Sequence, residues 1–395
     1  MKQCQAWIIW FVATLFVVYT FTLGTAASVF SQAIQQSLHL TSAETSFSFA
    51  LFIIGFACMQ LPAGYLLDRY KTRYVLSAAI LIMAIGNWLA SIAQTSLAFD
   101  IANFLEGVGG AFDFVSASIL IAQWFPAKMF PILTGFVQTL ACISVAVLHY
   151  ILRINLETTN WHLTYHHFFL FGLALFVLSF LIIRTPSSFK LNFHFTFRQA
   201  LGMVFHNKQN WLCALGAATS FGLLLSYASF WYAIVEAHYH VPLNDTAIIG
   251  GCVFVGVGVG TPLLGWISNK AKSRKLIIHL SLCLGIMSLI LSLYLPHFNI
   301  SSFLIAKTTA FLIGFFLSGG LLYYTVVSEM SDNDTRGLAL SLTNTATFLF
   351  NMFLLMLPYL FITKISKDYY TYLWVYPVCA ISSVIFNYFL KDTRS

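Results

Sequence analysis

The sequence is dominated by long apolar stretches, and their length constrains the fold more than any single motif does. An α-helix rises 1.5 Å per residue, so about 20 apolar residues span the ~30 Å hydrocarbon core of a bilayer. Only 8% of the 395 residues are charged, whereas a soluble domain carries about 25% to cover its water-facing surface. We therefore predict an all-α polytopic membrane protein.

Twelve spans of this kind follow one another along the chain. They lie at residues 7–30, 46–67, 74–94, 97–123, 130–152, 167–183, 211–235, 246–268, 276–295, 302–327, 338–362 and 370–390. The longest polar link divides them six and six. This predicts an N-terminal six-helix half at 1–184, a cytoplasmic linker at 185–210 and a C-terminal six-helix half at 211–395.

The positive residues are distributed unevenly between the two ends of these spans. If the N-terminus is cytoplasmic, all Lys and Arg residues fall on the cytoplasmic side except Arg153, Lys307, Lys364 and Lys367. Cytoplasmic loops of membrane proteins are enriched in Lys and Arg in this way. We therefore expect both termini in the cytoplasm, and we assign the net charge of +7 to membrane topology, not to nucleic-acid binding.

A short motif recurs at equivalent places in the two halves. GYLLDRYKTR at 64–73 follows the second span, and GWISNKAKSR at 265–274 follows the eighth, at a constant offset of 201 residues. The first copy resembles the G-x-x-x-D-R-x-x-R/K loop of the major facilitator superfamily, and the twelve spans and the long central link are similar to that family as well. The alternative is that these basic loops only fix the topology.

The resemblance implies the major facilitator fold, with two pseudo-symmetric six-helix halves that rock about a central path. It also implies a conformational lock at the cytoplasmic side, in which Asp68 faces the N-terminus of the eleventh helix near Arg336 and Gly337. In the second copy, Glu329 is expected to pair with Lys270 or Arg274. The predicted lock residues are Gly64, Asp68, Arg69, Arg73, Lys270, Arg274 and Glu329.

Charged groups inside the spans are candidates for coupling or substrate binding, because they are costly in hydrocarbon and therefore usually functional. Asp113 and Glu106 belong to the fourth span, where a spacing of three and four residues predicts one continuous face with Asn103, Gly110 and Ala117. Asn103 stands where many relatives carry an Arg linked to proton coupling. The alternatives are a structural carboxyl, paired for example with Lys307, and a Lys307 side chain that reaches out to the interface.

Four neutral polar residues in the predicted cavity-lining helices and their neighbours complete the candidate set. They are Tyr19, Gln138, Tyr227 and Asn351. For each of them, an interhelical hydrogen bond or a packing contact is the alternative to a role in transport.

The function that these features predict is secondary active transport of a small solute by alternating access, coupled to protons or another ion. The fifth span lacks the G-x-x-x-G-P pattern of many drug–proton antiporters in the family, which favours uptake of a nutrient or metabolite. A drug or metabolite efflux antiporter is the alternative, and a transporter-like receptor or scaffold is an alternative of another class.

No cofactor, metal site or catalytic group is predicted, so we do not expect an enzyme. Six of the seven cysteines lie inside apolar runs without a C-x-x-C pair, which indicates core residues instead of zinc ligands. The expected partners are the solute, a coupling ion and membrane lipid. We expect a monomer in a bacterial inner membrane.

Overall fold

The structure, a computed structural model, describes residues 2–154, 160–186, 195–228, 235, 239, 243–300, 302–357 and 373–393. Parts of the predicted linker and of the seventh, eleventh and twelfth spans lie outside these residues. Helices in this article are numbered by the predicted span to which they correspond.

The first six spans form helices close to the predicted bounds. They are α1 (Lys2–Val29), α2 (Ser42–Arg69), α3 (Thr72–Ser91), α4 in two segments (Ser96–Gly110 and Asp113–Trp124), α5 (Phe130–Ile154) and α6 (Trp161–Ile182). The start of α2 is fixed by a capping box, because Thr41 Oγ1 accepts from Glu44 N at 3.2 Å and Glu44 Oε2 accepts from Thr41 N at 2.8 Å. Such a box satisfies backbone donors that the first turn leaves free.

The later spans form a second series of helices. They are α7 (Lys208–Ala217, continued through Ala218–Gly222 and Leu223–Ser226), α8 (Leu243–Lys270), α9 (Arg274–Tyr294), α10 (Phe303–Leu317, Ser318–Leu321 and Leu322–Met330), α11 (Arg336–Leu357) and α12 (Val375–Phe389). Among the described residues, ten of the twelve are long and apolar enough to cross a membrane. The other two, α7 and α12, border residues outside the described part.

The helix pairings of the first series recur in the second. In the first, α1 packs on α4 and α6, α2 packs on α4, and α3 packs on α4 and α6. In the second, α7 packs on α10 and α12, α8 packs on α10, and α9 packs on α10 and α12. The internal repeat that the motif indicated therefore extends to the packing.

A two-residue turn with right-handed helical dihedral angles divides α4 within the face predicted for the fourth span, and that face stays a prediction. The first segment of α4 ends at Gly110, Ala111 and Phe112 form a turn, and the second segment begins at Asp113. Glycine lowers helix stability by up to about 1 kcal/mol relative to alanine, and three glycines lie in the last four residues of the first segment. The turn leaves Glu106 in the first segment and Asp113 at the start of the second.

By their contacts, the residues group into two compact units. The first unit contains 1–127, 143–202 and 332–341, and the second contains 128–142, 203–331 and 342–395. The start of α11 therefore belongs with α2 in the first unit, and the start of α5 belongs with α8 in the second. The boundaries of the two halves at 184 and 211 stay a prediction.

Candidate functional site

The Asp68 carboxylate lies at the N-terminus of α11. Its Oδ1 accepts from Gly337 N at 2.7 Å, and its Oδ2 accepts from Leu338 N at 2.9 Å. These are among the first N–H groups of the helix, which have no partner inside it and carry partial positive charge. One carboxylate thus satisfies two helix donors and complements their charge.

Gly64 brings α2 and α11 close enough for this contact. A Cβ atom at Gly64 would lie 2.5 Å from Gly337 O, closer than two non-bonded heavy atoms can approach. The glycine of the motif is therefore required by the packing of two backbones, as small residues commonly are where membrane helices meet.

The two arginines of the first motif contact aromatic side chains. Arg69 donates a hydrogen bond to the Tyr65 hydroxyl, and its guanidinium lies 5.7 Å from the centre of the Tyr65 ring. The Arg73 guanidinium lies 4.2 Å from the centre of the Phe180 ring in α6, a cation–π distance.

In the second copy of the motif, Arg274 is the partner of Glu329. Arg274 Nη2 lies 2.9 Å from Glu329 Oε1, and the Arg274 side chain is 0% exposed. Arg274 Nη1 also donates to Ser268 Oγ at 2.6 Å. Lys270, the other expected partner, instead lies 3.9 Å from the centre of the Trp266 ring.

Asn269, the counterpart of Asp68, is a donor where Asp68 is an acceptor. Its Nδ2 donates to Lys128 O at 2.7 Å, just before α5. A Cβ at Gly265, the counterpart of Gly64, would lie 2.8 Å from Pro131 O. The second copy therefore joins α8 to the start of α5 through a neutral hydrogen bond and a second close backbone approach.

The C-terminal tail also reaches this region, which the sequence did not indicate. Asp392 Oδ1 accepts from Arg274 N at 3.0 Å, and Asp392 also accepts from Ser273 Oγ. Thr393 donates to Glu329. The contacts join residues more than sixty positions apart, so no local pattern could have predicted them.

Asp113 begins the second segment of α4 and is 1% exposed. Its Oδ1 accepts from the N–H of Phe114, and its Oδ2 is buried without a hydrogen-bond partner. Thr20 of α1 lies beside the carboxylate, but the Thr20 hydroxyl donates to Phe16 O at 3.1 Å. Asp113 is therefore a buried acid with a free oxygen next to α1.

Glu106 lies one segment earlier and has different neighbours. It is 2% exposed, and a Cβ at Gly86 of α3 would lie 2.8 Å from Glu106 Cγ. Its Oε1 has no hydrogen-bond partner. Tyr19 of α1 is nearby, donates to Phe168 O at 2.9 Å and accepts from Asn87 Nδ2 at 3.0 Å.

The remaining candidates belong to the second unit and have separate surroundings there. Gln138 Nε2 donates to Cys142 Sγ at 3.5 Å, and the Tyr227 hydroxyl lies 3.3 Å from Ser292 Oγ. Lys307 Nζ lies 4.2 Å from the centre of the Phe303 ring. Asn351 Oδ1 is buried without a hydrogen-bond partner. The contacts of Gln138, Tyr227 and Lys307 are hydrogen bonds or packing contacts, the structural alternative to a role in transport.

Two residues next to Glu106 were missed by the sequence reasoning. Asn87 and Tyr165 are both 0% exposed. Asn87 is an amide near the middle of the mostly apolar third span, a signal that could have indicated it. Tyr165 lies before the predicted start of the sixth span at 167, whereas α6 begins at Trp161.

The comparison with known families decides the membership of the chain. A family model described as Major Facilitator Superfamily matches residues 12–355, far more than half of the sequence. The chain belongs to the major facilitator superfamily. It is thus an integral, multi-pass membrane protein of a transporter family.

Solved structures of this superfamily share the fold. The proton:xylose symporter XylE superposes with a TM-score of 0.72 at 17% identity, over 100% of this chain and 98% of XylE. The Escherichia coli fucose:proton symporter FucP superposes with a TM-score of 0.71 at 13% identity, over 96% and 97% of the two chains. At these identities the likeness concerns the fold alone.

Curated relatives within the superfamily match over shorter regions. The multidrug resistance protein MdtL of Shewanella oneidensis is 26% identical over 252 residues, 62% of either chain. The nitrite extrusion protein of Bacillus subtilis is 21% identical over 267 residues, 67% of this chain and 66% of the relative. The transporter YybO of Bacillus subtilis, named as uncharacterized, is 32% identical over 120 residues, 30% and 28% of the two chains. Less than two thirds of each relative is therefore matched.

Proposed function

We propose that this major facilitator protein is a secondary active transporter that takes up a small polar solute together with a proton or another cation. The observation that carries the proposal is Asp113, a 1% exposed carboxylic acid whose Oδ2 has no hydrogen-bond partner. A coupling group must bind and release a cation during each cycle. A carboxyl oxygen already used by a permanent partner could not do so.

The interruption of α4 supports the role of Asp113. The acid is the first residue of a helical segment, where the free N–H groups favour negative charge. In secondary transporters, coupling ions and substrates commonly bind where a membrane helix is interrupted.

The contacts of Asp68 and Asn269 support alternating access. Each joins two helices through one or two polar bonds at a place where a glycine allows the backbones to touch. Contacts of this size can form and break within a transport cycle, because each contributes only about 1–3 kcal/mol.

Purified protein in proteoliposomes tests the proposal. With an inward proton or sodium gradient, the wild type should concentrate at least one of D-xylose, L-fucose and D-glucarate; the relative GudP of Escherichia coli is named a probable galactarate/D-glucarate transporter. Asp113→Asn should lose accumulation against a gradient but still exchange labelled for unlabelled solute. Asp100→Asn is the matched control on the same helix, because Asp100 already accepts from Ser48 and Ser96.

Wild-type accumulation by Asp113→Asn would remove this acid from the coupling mechanism. If a probe raises the melting temperature of the protein but never crosses the bilayer, the chain is a receptor or scaffold and not a transporter.

Efflux is the second candidate, supported by the relatives MdtL and the nitrite extrusion protein. In everted vesicles, an efflux protein would concentrate ethidium or nitrite when the interior is acidified. Accumulation there, without uptake in right-side-out proteoliposomes, would reverse the proposed direction.

A further inference from the structure

Three buried oxygens without hydrogen-bond partners surround the first segment of α4. They are Glu106 Oε1, Asn87 Oδ1 and Tyr165 Oη. Their residues are 2%, 0% and 0% exposed, and they come from α4, α3 and α6. Buried polar atoms are nearly always hydrogen-bonded in native proteins, so three unpartnered oxygens on neighbouring residues require an explanation.

The three residues are neighbours in space. The Glu106 side chain packs on Gly86, where an added Cβ would come within 2.8 Å of Glu106 Cγ, and Asn87 is the next residue. Glu106 is also close enough to Tyr165 and Tyr19 to interact electrostatically with both phenols. The Tyr19 hydroxyl in turn accepts from Asn87 Nδ2 at 3.0 Å, so Tyr19 connects Asn87 with Glu106.

Most of the hydrogen-bond donors in this group are already used. Asn87 Nδ2 donates to Tyr19 Oη and, at 2.9 Å, to Met83 O. Tyr19 Oη donates to Phe168 O at 2.9 Å. Only the hydroxyl of Tyr165 keeps a free proton, and it donates to no acceptor. The unsatisfied capacity of the group is therefore almost entirely that of oxygen lone pairs.

The Glu106 carboxylate also lacks a protein cation. Among the described residues the ion pair is Arg274–Glu329, which lies in the second unit, and no Lys, Arg or His side chain in the described part of the chain is paired with Glu106. A buried charge is costly unless it is paired. The aromatic rings of Phe99, Trp161 and Phe168, with centres 6.2, 6.0 and 6.3 Å from that of Tyr165, keep the surroundings apolar.

We infer that a monovalent metal cation of the size of sodium binds between α1, α3, α4 and α6, with Glu106, Asn87 and Tyr165 as oxygen ligands. Hard cations prefer carboxylate, carbonyl and hydroxyl oxygens. One carboxylate balances one positive charge but not the two of a divalent ion, and the described residues contain no group of three or more His, Cys, Asp or Glu side chains that could hold a metal ion. A proton on the carboxyl group could be shared with only one other oxygen. A metal ion can accept lone pairs from the oxygens of all three residues.

This site is separate from the coupling carboxyl of the proposed function. Asp113 belongs to the other segment of α4 and lies beside Thr20. Sodium binding can therefore occur whether or not Asp113 couples transport, and it can be measured without a solute or a gradient. A failure of either proposal leaves the other to be judged by its own experiment.

The test is binding of sodium to the purified protein in detergent. At constant ionic strength, replacing choline chloride by sodium chloride should raise the melting temperature until the site is saturated, because a ligand of the native state stabilises it. Equilibrium binding of radioactive sodium should give one ion per chain. Glu106→Gln should abolish both effects, and Tyr165→Phe, which keeps the ring, should weaken binding about ten-fold, the change that corresponds to one lost polar contact of about 1.4 kcal/mol.

Asp100→Asn removes a different carboxylate of α4 and should bind sodium as the wild type does. Equal stability in sodium and choline, or a sodium effect that Tyr165→Phe and Glu106→Gln leave unchanged in folded protein, would overturn the inference. A proton or a buried water molecule would then fill the site.

Discussion

Asp68 accepts a 2.7 Å hydrogen bond from the backbone N–H of Gly337, although the two residues are 269 positions apart. Leu338 N donates to the other oxygen of the same carboxylate. We expect Asp68→Asn to lose most of this contact, because the amide offers one acceptor and turns an N–H₂ group toward a helix donor.

Hydrogen exchange of the peptide that contains Gly337 and Leu338 measures this directly. Hydrogen bonds to charged groups contribute about 1.5–3 kcal/mol, so exchange of these amides should become about 10- to 100-fold faster in Asp68→Asn. Lys71→Gln in the same loop is the control, because Lys71 is exposed. Unchanged protection in Asp68→Asn would show that the carboxylate does not hold the helix end.

Gly64→Ala should separate α2 from α11. The added Cβ would lie 2.5 Å from Gly337 O, so one backbone must move, and the melting temperature should fall. Gly202→Ala, in the short helix Phe197–His206, is the matched control, since a Cβ there meets nothing within 4 Å and alanine favours the helix by up to about 1 kcal/mol. Equal melting temperatures for the two variants would contradict the close approach.

Neutralising one member of the Arg274–Glu329 pair should strongly destabilise the protein. Removing one partner of a buried ion pair costs about 3–5 kcal/mol, because the other charge stays buried, and Arg274 is 0% exposed. Arg274→Gln and Glu329→Gln should each lower the unfolding midpoint in denaturant, and the double variant should lose less than the sum of the two.

Lys270→Gln is the control for that cycle, because Lys270 contacts the Trp266 ring and not the acid. It should change the midpoint little. Additive effects of Arg274→Gln and Glu329→Gln would mean that the pair has no coupling energy.

Asn269→Asp should weaken the junction of α8 with the residues before α5, although it restores the acid of the first motif copy. Asn269 Nδ2 donates to Lys128 O at 2.7 Å, and a carboxylate would face that carbonyl with like partial charge. The loss should be about 1–3 kcal/mol in denaturant unfolding and larger than that of Asn269→Ala. A variant as stable as the wild type would show that the amide proton is not needed.

The Asp68 contact was predicted because the motif resembles the loop of the major facilitator superfamily, and that resemblance supplied the partner helix. The two copies nonetheless use opposite hydrogen-bond roles. Arg274 could not be distinguished from Lys270 in the sequence, because both are basic residues of the same motif copy. Only the buried surroundings of Arg274, including Ser268, decide between them.

The turn within α4 has a local cause. It comprises Ala111 and Phe112, between the segment that contains Glu106 and the segment that begins at Asp113. The glycines before that turn were visible in the sequence. The packing that gives them their effect could not be seen there. Gly107 lies against backbone atoms of α2, and Gly109 lies against backbone atoms of α3.

The end of the chain is an integral part of the second unit. Asp392 caps the start of α9, and Thr393 adds a bond to the acid that neutralises Arg274. A protein shortened before Asp392, by a protease or by design, would leave the Arg274 N–H and the Ser273 hydroxyl without this acceptor and Glu329 without the bond from Thr393. We therefore expect a reporter or affinity sequence joined directly behind Thr393 to disturb the contacts with Glu329 and with the start of α9. A flexible spacer would preserve them.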